Sequence, residues 1–339
     1  MFRKRVVSQC FRRGRLILPV LALMLPAGAF SASPVARARM QAPATAQVHS
    51  EKQATFATPE EAMQAIVEAG KAKDRTALGK VLGPDVEKLL SGDEVADRKD
   101  LEDFAAAVQE SAQVRKVDDS RYTLLIGKDN WPYPIPISRA GDGWYFDMKA
   151  GIEEILNRRI GENELSAIAT CRAYAVAQWE YFTEGDWDND GVAEYAQRFL
   201  SSPGKHDGLF WETTEDAKAS PLGKLVAAAR AQGYGPGNTA GGGAATGERH
   251  PYHGYYFKIL TRQGSHAPGG KYSYIINGNM IAGYALIAYP DKWGNSGIMT
   301  FIVNQQGRVY QKDLGPETVK VAGAMVDYDP DPSWKLVEP

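Results

Sequence analysis

Apolar residues recur at helical spacing in the part of the chain that follows residue 55. The first stripe of this kind lies in a helix predicted to begin at Pro59, because proline suits the first helical position. It consists of Ala62, Ile66 and Ala69. Two further helices are predicted over 75–82 and 99–112, the second with a clear apolar side. The front of the chain is therefore predicted to be rich in helices.

Three segments with the character of β-strands follow these helices. They span 122–126, 131–137 and 143–146. The middle segment, Trp-Pro-Tyr-Pro-Ile-Pro-Ile, has proline at alternate positions. Because proline cannot donate a backbone hydrogen bond, this strand is predicted to lie at the edge of a sheet. Helices followed by a small antiparallel sheet predict an N-terminal α+β domain over 55–150.

The second half of the chain combines one long helix with alternating strands and turns. Residues 151–161 are interpreted as a connector, and the alanine-rich run that follows predicts a long helix over 162–183. Strands are predicted within 254–261, 272–276, 283–289, 297–304 and 308–311. Asn277-Gly278 is a strong turn signal between two of them. The predicted fold class is α+β, with a C-terminal domain over 162–339 in which the long helix packs on an antiparallel sheet.

The first 33 residues have the layout of a bacterial secretory signal peptide. Their charged residues are all basic and precede an apolar run that ends in small residues. The run is about 15 residues long, which is short for the roughly 20 residues of a membrane-spanning helix. We predict cleavage after Ala29 or Ser31, a periplasmic mature protein and no stable membrane span. Residues 34–54, rich in alanine, proline and glutamine, are predicted to be a disordered linker.

Composition and charge narrow the class of partner. The chain has 339 residues, of which 44% are hydrophobic and 24% charged, an ordinary globular mixture that suits two domains. Its formal net charge is −2, and the signal peptide holds many of the basic residues. The mature part is therefore mildly acidic and has no long basic run, which argues against nucleic acid as a partner.

The cysteines do not predict a disulfide. Cys10 precedes the apolar run and would leave with the signal peptide, so Cys171 would be the single cysteine of the mature chain. It lies among small and apolar residues of the predicted long helix. We interpret Cys171 as a small buried apolar residue rather than as a nucleophile.

An acidic loop follows the long helix and is the first candidate site. Its carboxylates stand at alternate positions before Gly191, a spacing that lets oxygen atoms converge on one cation. The predicted calcium ligands are Asp186, Asp188, Asp190, the carbonyl of Val192, and Glu194. Gln197 stands where the twelfth position of an EF-hand holds glutamate, so Glu194 would have to close the ligand shell. The alternative interpretation is a solvated acidic turn.

A second candidate site consists of histidines in the loop-rich part of the chain. Its residues are His206, Asp207, His250 and His253. Imidazole and carboxylate groups could bind zinc or transfer protons, which would make the protein a hydrolase if these side chains met around a cleft. Two histidines three residues apart in a loop that contains proline are a weak metal signal, and a structural role is the alternative interpretation.

One further segment has a superficial likeness to a catalytic motif. Gly294-Asn295-Ser296-Gly297 resembles the nucleophile turn of serine proteases. It lies between two predicted strands, where glycine and asparagine favour a change of direction. We interpret it as a tight turn.

Five short motifs, taken in order, resemble one protein family. They are 131–136 (WPYPIP), 158–165 (RRIGENEL), 205–211 (KHDGLFW), 253–257 (HGYYF) and 267–270 (APGG). The family is the exported bacterial family filed as domain of unknown function 2950, and the likeness extends from Phe56 to Trp334. The resemblance implies an envelope protein of Gram-negative bacteria and implies no particular activity.

The C-terminal half has a second likeness. A long helix on a meander of strands is similar to the head of a type IV pilin or pseudopilin, and the last two strands of the sheet with their turn carry the likeness. The hydrophobic stem of a pilin is missing, because a predicted domain separates the signal peptide from the long helix.

These observations predict a periplasmic protein without catalytic activity. We expect a binding or structural module, with calcium as its one expected cofactor and an envelope protein or cell-wall component as its partner. The alternative is an envelope hydrolase that uses the histidine and aspartate residues named above.

Overall fold

The computed structural model describes residues 53–185, 187, 190–213, 219–234 and 250–338. The predicted signal peptide and nearly all of the predicted linker therefore lie outside the described residues. The described part begins at Gln53, whose side-chain amide donates hydrogen bonds to the carbonyls of Val81 and Phe146 at 3.2 and 2.7 Å. The chain is thus already attached to the fold at Gln53.

Helices form the first part of the fold, and side-chain caps fix where its α-helices begin. In order they are α1 (Pro59–Lys71), α2 (Arg75–Leu82), a short 3-10 helix (Pro84–Leu89) and α3 (Glu94–Glu110). The Thr58 hydroxyl accepts a hydrogen bond from the N–H of Glu61, and Asp74 and Asp93 each accept two from the first turns of α2 and α3. Helix α3 begins earlier than the predicted position 99 because Asp93 supplies this cap.

A five-stranded antiparallel sheet follows. Its strands are β1 (Ala112–Asp118), β2 (Arg121–Ile126), β3 (Trp131–Pro132), β4 (Ile137–Ala140) and β5 (Gly143–Phe146). The order is β1-β2-β4-β5, and β3 pairs only with β2. The edge position is therefore as predicted, but the strand is shorter than the predicted 131–137: residues 133–136 form no strand, and Ile137 begins the inner strand β4.

The first hydrophobic core lies between α1, α2, α3 and this sheet. Its members without exposed surface are Ala62, Ile66, Leu124, Ile135, Ile137 and Phe146. The predicted stripe of α1 supplies Ala62 and Ile66, so the helical spacing in the sequence identified the buried side of that helix.

One continuous helix, α4 (Met148–Glu184), carries the chain from this first core to a second one. The sequence predicts a connector over 151–161 and a separate helix from 162, whereas α4 runs through both segments without interruption. A methyl group added at Gly161 would meet nothing within 4 Å, so this glycine lies in a helix without being required there by packing. The predicted helix start at 162 was wrong, because the predicted connector is helical as well and the helix-weakening effect of one glycine is small against 37 residues of continuous helix.

The second half is built around another antiparallel sheet of five strands. They are β6 (Tyr255–Leu260), β11 (Ala285–Pro290), β12 (Met299–Asn304), β13 (Tyr310–Asp313) and β15 (Lys335–Leu336), paired in the order β15-β13-β12-β11-β6. Smaller elements surround it: α5 (Gly223–Ala231), β7 (Arg262–Gln263), β8 (Tyr272–Ser273), β9 (Ile275–Ile276), β10 (Asn279–Met280), α6 (Thr318–Ala324) and β14 (Asp327–Tyr328).

Helix α4 packs against β11 and β12 of this sheet. The hydroxyl of Tyr174, on the buried side of α4, donates to the carbonyl of Ala285 at 3.3 Å. Cys171 has no exposed surface, and burial raises the pKa of its thiol to about 12. The interpretation of Cys171 as a buried apolar residue is confirmed.

The segment after the acidic loop differs from its prediction. A last helical turn is expected over 193–200, but the described chain there is not helical. Gln178 of α4 has no exposed surface, and its side-chain amide both donates to the carbonyl of Ala196 and accepts from its N–H, each at 2.8 Å. Backbone groups that a helix would have used are therefore taken by a buried glutamine 18 residues earlier.

The fold class is thus α+β, with a long helix and antiparallel sheets as predicted. Within the described ranges, no helix combines the length and the apolar character that crossing a membrane requires.

Candidate functional site

The acidic loop is described only in part. Asp186 and Asp188 lie outside the described residues, whereas Asp190, Val192 and Glu194 lie within them. Asp190 Oδ1 accepts the N–H of Val192 at 2.8 Å, and Asp190 Oδ2 accepts the side-chain amide of Asn279 at 2.6 Å. The carboxylate of Asp190 therefore closes a turn and also reaches the hairpin formed by β9 and β10.

Glu194 binds the same hairpin. Its Oε2 atom accepts the N–H of Met280 at 3.0 Å, and the neighbouring Gln197 donates to the carbonyl of Gly278 at 2.6 Å. The predicted turn at Asn277-Gly278 is thus the place where the described part of the acidic loop is attached. Over the described ranges, no group of three histidine, cysteine or acidic side chains is arranged to hold a metal ion.

The histidine and aspartate residues of the alternative site make separate contacts. His206 is exposed and packs its ring against Trp211, with centroids 4.4 Å apart. Asp207 accepts the backbone N–H and the hydroxyl of Ser202 at 2.6 and 2.8 Å, and Arg198 lies 3.4 Å away. Burial alone would raise the pKa of Asp207. The hydrogen bonds from Ser202 and the positive charge of Arg198 outweigh that effect, so the pKa is lowered. This carboxylate closes the loop at 202–207.

His250 and His253 lie in a different environment from His206 and Asp207. His250 is exposed. His253 has a positive φ of 47°, and its Nε2 atom donates to the side-chain carbonyl of Gln232 at 2.9 Å. Its ring packs against Tyr234 and Tyr252, and burial lowers its pKa. His253 is therefore positioned as a packed, hydrogen-bonded side chain.

Ser296 lies in a tight turn, as its sequence context predicts. The hydroxyl accepts the N–H of Lys292 at 2.9 Å, and the backbone N–H of Gly294 donates to the carbonyl of Gly297 at 2.9 Å. A methyl group added at Gly297 would lie 2.1 Å from the hydroxyl oxygen of Tyr255. The second glycine of this motif is therefore required by close packing rather than by access to a nucleophile.

A buried carboxylate that the sequence analysis did not select connects the two halves of the chain. Asp93 is 4% exposed, and its Oδ1 atom caps α3 through the N–H groups of Val95 and Ala96, both at 3.1 Å. Its Oδ2 atom accepts the hydroxyl of Tyr234 at 2.8 Å and lies 3.4 Å from the N–H of Gly254. One side chain thus bonds to the first helical region and to two segments of the second half.

The motif at 158–165 lies on α4 at the same junction. Arg159 donates to the carbonyl of Leu89 and, at 2.7 Å, to the side-chain oxygen of Asn295. One turn later, Asn163 donates to the carbonyl of Ser296 at 2.9 Å. Glu164 Oε1 accepts the N–H groups of Ile298 and Met299, both at 3.0 Å. The polar residues of this motif therefore fix the chain that leads into β12.

Charge at this junction is distributed between α3 and α4. Loss of hydration raises the pKa of Asp100, and the positive charge of Arg159 opposes that shift. Burial lowers the pKa of Arg159, and Asp97 and Asp100 oppose that shift in turn. The two carboxylates thus act electrostatically on the partly buried guanidinium of Arg159, whose hydrogen bonds go to Leu89 and Asn295.

The loop of the motif at 267–270 is held by polar side chains that lie outside the motif. Gln263 has no exposed surface and donates to the carbonyls of Pro268 and Gly270 at 2.8 and 2.7 Å, which fixes the loop of the motif at 267–270. In the same loop region, the carboxylate of Asp329 accepts two hydrogen bonds from His266. One comes from the backbone N–H at 2.8 Å and the other from the ring Nδ1 at 2.9 Å. The hydrogen bond to Asp329 raises the pKa of His266.

The proline-rich motif contacts the start of α4. Ile135 packs so closely against Gly151 that a methyl group there would lie 2.7 Å from the Ile135 Cα atom. The guanidinium of Arg158 lies over the ring of Trp131, 4.6 Å from its centroid. Sequence patterns located these motifs, but only the fold shows that two of them meet.

The described chain is an α+β protein in which a single helix passes through two hydrophobic cores and polar side chains tie them together. It belongs to the family described as protein of unknown function (DUF2950), whose profile matches residues 53–337. The family membership predicted from the five motifs is confirmed. No curated protein and no solved structure matches the chain.

Proposed function

We propose that the protein is a non-catalytic binding and structural module of the bacterial cell envelope. One observation carries this proposal: polar side chains of the family motifs donate to or accept from backbone groups of neighbouring segments. Those that do so are Asn163, Glu164 and Asp207. Gln263, which lies outside the motifs, donates to backbone carbonyls of the motif at 267–270. An atom that holds the backbone in place is a poor candidate for a group that must change its bonding during a reaction.

The proposed location and partner rest on sequence features. The basic and apolar layout of residues 1–33 supports export to the periplasm, and the mild acidity of the remaining chain favours a protein or cell-wall component over nucleic acid. The packing of α4 on β11 and β12 supports a head similar to that of a pilin or pseudopilin. In this proposal that head presents a surface to another envelope component.

The full chain expressed in a Gram-negative host tests this proposal. We expect a periplasmic product whose first residue is Phe30 or Ala32, measured by intact mass. We also expect no turnover of chromogenic ester, phosphoester or glycoside substrates above background, with or without added zinc. Turnover that disappears in both His253→Ala and Asp207→Ala would instead support the envelope hydrolase. A cytoplasmic product with an intact N-terminus would contradict the envelope location.

We further propose that the acidic loop binds calcium. Asp190 and Glu194 already attach the end of this loop to the hairpin at 277–280, so an ion held there would order both. Calcium at about 10 mM and a dissociation constant of ~10⁻⁴ to 10⁻³ M would stabilise the protein by roughly 1.4–2.7 kcal/mol. We therefore expect calorimetry to show a melting midpoint roughly 2–5 °C higher in calcium than in chelator.

A matched pair of variants assigns that shift to the loop. Asp188→Asn should abolish the shift, whereas Asp331→Asn, which alters a similar alternation of acids outside the loop, should retain it. A melting midpoint that is the same in calcium and in chelator would contradict the proposal that the loop binds calcium.

A further inference from the structure

A buried hydroxyl without a hydrogen-bond partner lies at the start of helix α5. Ser220 is 6% exposed, and within the described chain its hydroxyl oxygen has no partner. A serine three residues before a first-turn residue ordinarily caps the helix by accepting that residue's N–H through its hydroxyl. Here the N–H of Gly223 donates instead to the backbone carbonyl of Ser220 at 2.8 Å, and α5 has no side-chain cap. A buried polar atom left without a partner is costly, so the position of this hydroxyl needs a physical reason.

Unpaired backbone donors lie at the same end of α5. The helix has 9 residues and begins at Gly223. The N–H groups of Lys224 and Leu225, which follow, have no acceptor among the described residues. Backbone N–H groups at the start of a helix carry partial positive charge and point away from the helix body, which favours an anion in front of them.

Gly223 leaves an approach to the hydroxyl open. An added Cβ atom there would lie 3.1 Å from the hydroxyl oxygen of Ser220, and apart from its chain neighbours no other described side chain would lie within 4 Å of it. A ligand oxygen that reaches the first turn over Gly223 therefore meets this hydroxyl as a donor. The surroundings are open to solvent, since Lys224 is exposed and Gly223 and Leu225 are half-buried.

The charge at the start of α5 is positive. Its first turn contains no acidic residue, and the ammonium of Lys224 has no carboxylate partner in the part of the chain that the structure describes. The carboxylate of Glu212 bonds instead to the guanidinium of Arg230, in the last turn of the helix. Two N–H groups, one hydroxyl and one ammonium thus form a set of donors for an anion that has several oxygen atoms.

We propose that the start of α5 binds a phosphate group. Its oxygen atoms accept hydrogen bonds from the N–H groups of Lys224 and Leu225 and from the hydroxyl of Ser220, and the ammonium of Lys224 balances their charge. The oxygen atoms of a phosphate point in several directions, so separate donors can each reach one. Free phosphate, soluble phosphate esters and lipid headgroups all present this group. The site is independent of export and of calcium.

Isothermal titration calorimetry of the purified full chain with inorganic phosphate, in the presence of chelator, tests the proposal. We expect one site with a dissociation constant of about 1 mM or lower, an affinity that a few charge-assisted hydrogen bonds can supply. Ser220→Ala removes one donor and Gly223→Ala fills the approach to it, so each should raise the dissociation constant at least about fivefold. Lys224→Gln removes the charge and should raise it about threefold.

Lys149→Gln is the matched control. Lys149 is exposed and is the second residue of α4, as Lys224 is of α5. The first turn of α4 is capped by the carboxylate of Asp147, which accepts the N–H of Ala150 at 3.1 Å. Removing the charge of Lys149 should therefore leave the phosphate affinity unchanged.

Thermal stability without phosphate separates this site from an ordinary helix cap. Ser220→Ala removes a buried hydroxyl that has no partner, so the melting midpoint should stay the same or rise. Gly223→Ala replaces a helical glycine and should not lower it either. Thr58→Ala is the comparison, because the Thr58 hydroxyl accepts the N–H of Glu61 at 3.1 Å. Its loss should lower the midpoint by roughly 2 °C and leave the phosphate affinity unchanged.

The outcomes are distinct. No binding at about 20 mM phosphate would overturn the proposal, as would an affinity that Ser220→Ala and Gly223→Ala both leave unchanged. A melting midpoint that falls as far in Ser220→Ala as in Thr58→Ala would make Ser220 an ordinary cap and overturn it as well. Glycerol phosphate and vesicles that contain phosphatidic acid distinguish the sources. Binding of the soluble ester alone assigns a dissolved phosphate compound, and vesicle binding that Ser220→Ala weakens assigns a lipid headgroup.

Discussion

Replacing Asp93 by alanine is expected to lower the free energy of unfolding by about 3 kcal/mol. The change removes an N-cap worth ~1 kcal/mol and leaves the buried hydroxyl of Tyr234 without its acceptor, which costs roughly 1–3 kcal/mol. The melting midpoint should fall by roughly 5 °C in a chain of this size. The carboxylate matters because it caps α3 and also bonds to Tyr234, 141 residues later in the chain.

Asp74 provides the matched control. It caps α2 through the N–H groups of Thr76 and Ala77 at 2.9 and 3.1 Å, the same geometry that Asp93 uses on α3. The bonds of Asp74 are exposed. Asp74→Ala should therefore cost only about 1 kcal/mol. Equal losses in the two variants would mean that the bond to Tyr234 contributes nothing.

Replacing Gly151 by alanine is expected to destabilise the protein by about 2 kcal/mol. The new methyl group would lie 2.7 Å from the Cα atom and 2.8 Å from the Cγ1 atom of Ile135, which has no exposed surface. Overpacking of this kind costs roughly 1–3 kcal/mol, more than the gain of up to ~1 kcal/mol from replacing a helical glycine. Urea unfolding measures the difference.

Gly161 is the control on the same helix. Nothing lies within 4 Å of a methyl group at that position, so Gly161→Ala should stabilise the protein by roughly 0.5–1 kcal/mol. The opposite signs at the two glycines test the contact between the proline-rich motif and α4. If both variants were more stable than the wild type, Ile135 would not lie against the helix.

Local signals in the sequence predicted local features. Thr58 and Pro59 marked the start of α1, and Pro132 marked the edge strand Trp131–Pro132, because capping and hydrogen-bond donation depend on adjacent residues. The turn at Asn277-Gly278 was predicted for the same reason. It joins β9 and β10, and both of its residues have positive φ.

Features that depend on distant residues were not predictable from one sequence. Asp93 is part of an ordinary helix-start pattern, and nothing near it indicates Tyr234 or Gly254. The prediction of a helical turn over 193–200 was wrong, because the buried side chain of Gln178 bonds to the backbone of Ala196. The continuity of α4 through Gly161 is likewise decided by packing on both sides of that residue rather than by its own helix propensity.

The candidate sites show the same difference between local features, which the sequence predicts, and contacts between distant residues, which it does not. Spacing alone located the acidic loop, and the structure adds the hydrogen bonds of Asp190 and Glu194 to the hairpin. Spacing also grouped His206 and Asp207 with His250 and His253, but the two pairs have different hydrogen-bond partners. The chemical capacity of a side chain can be seen in a sequence, whereas its bonding partners require the fold.

A double-mutant cycle between Asp93 and Tyr234 tests most directly the claim that motif and junction side chains hold the two halves together. Tyr234→Phe removes only the hydroxyl, which should cost about 1–2 kcal/mol in the wild-type chain. In the Asp93→Ala chain the same change should be neutral or stabilising, because the hydroxyl has already lost its acceptor. An equal cost in both chains would contradict the account.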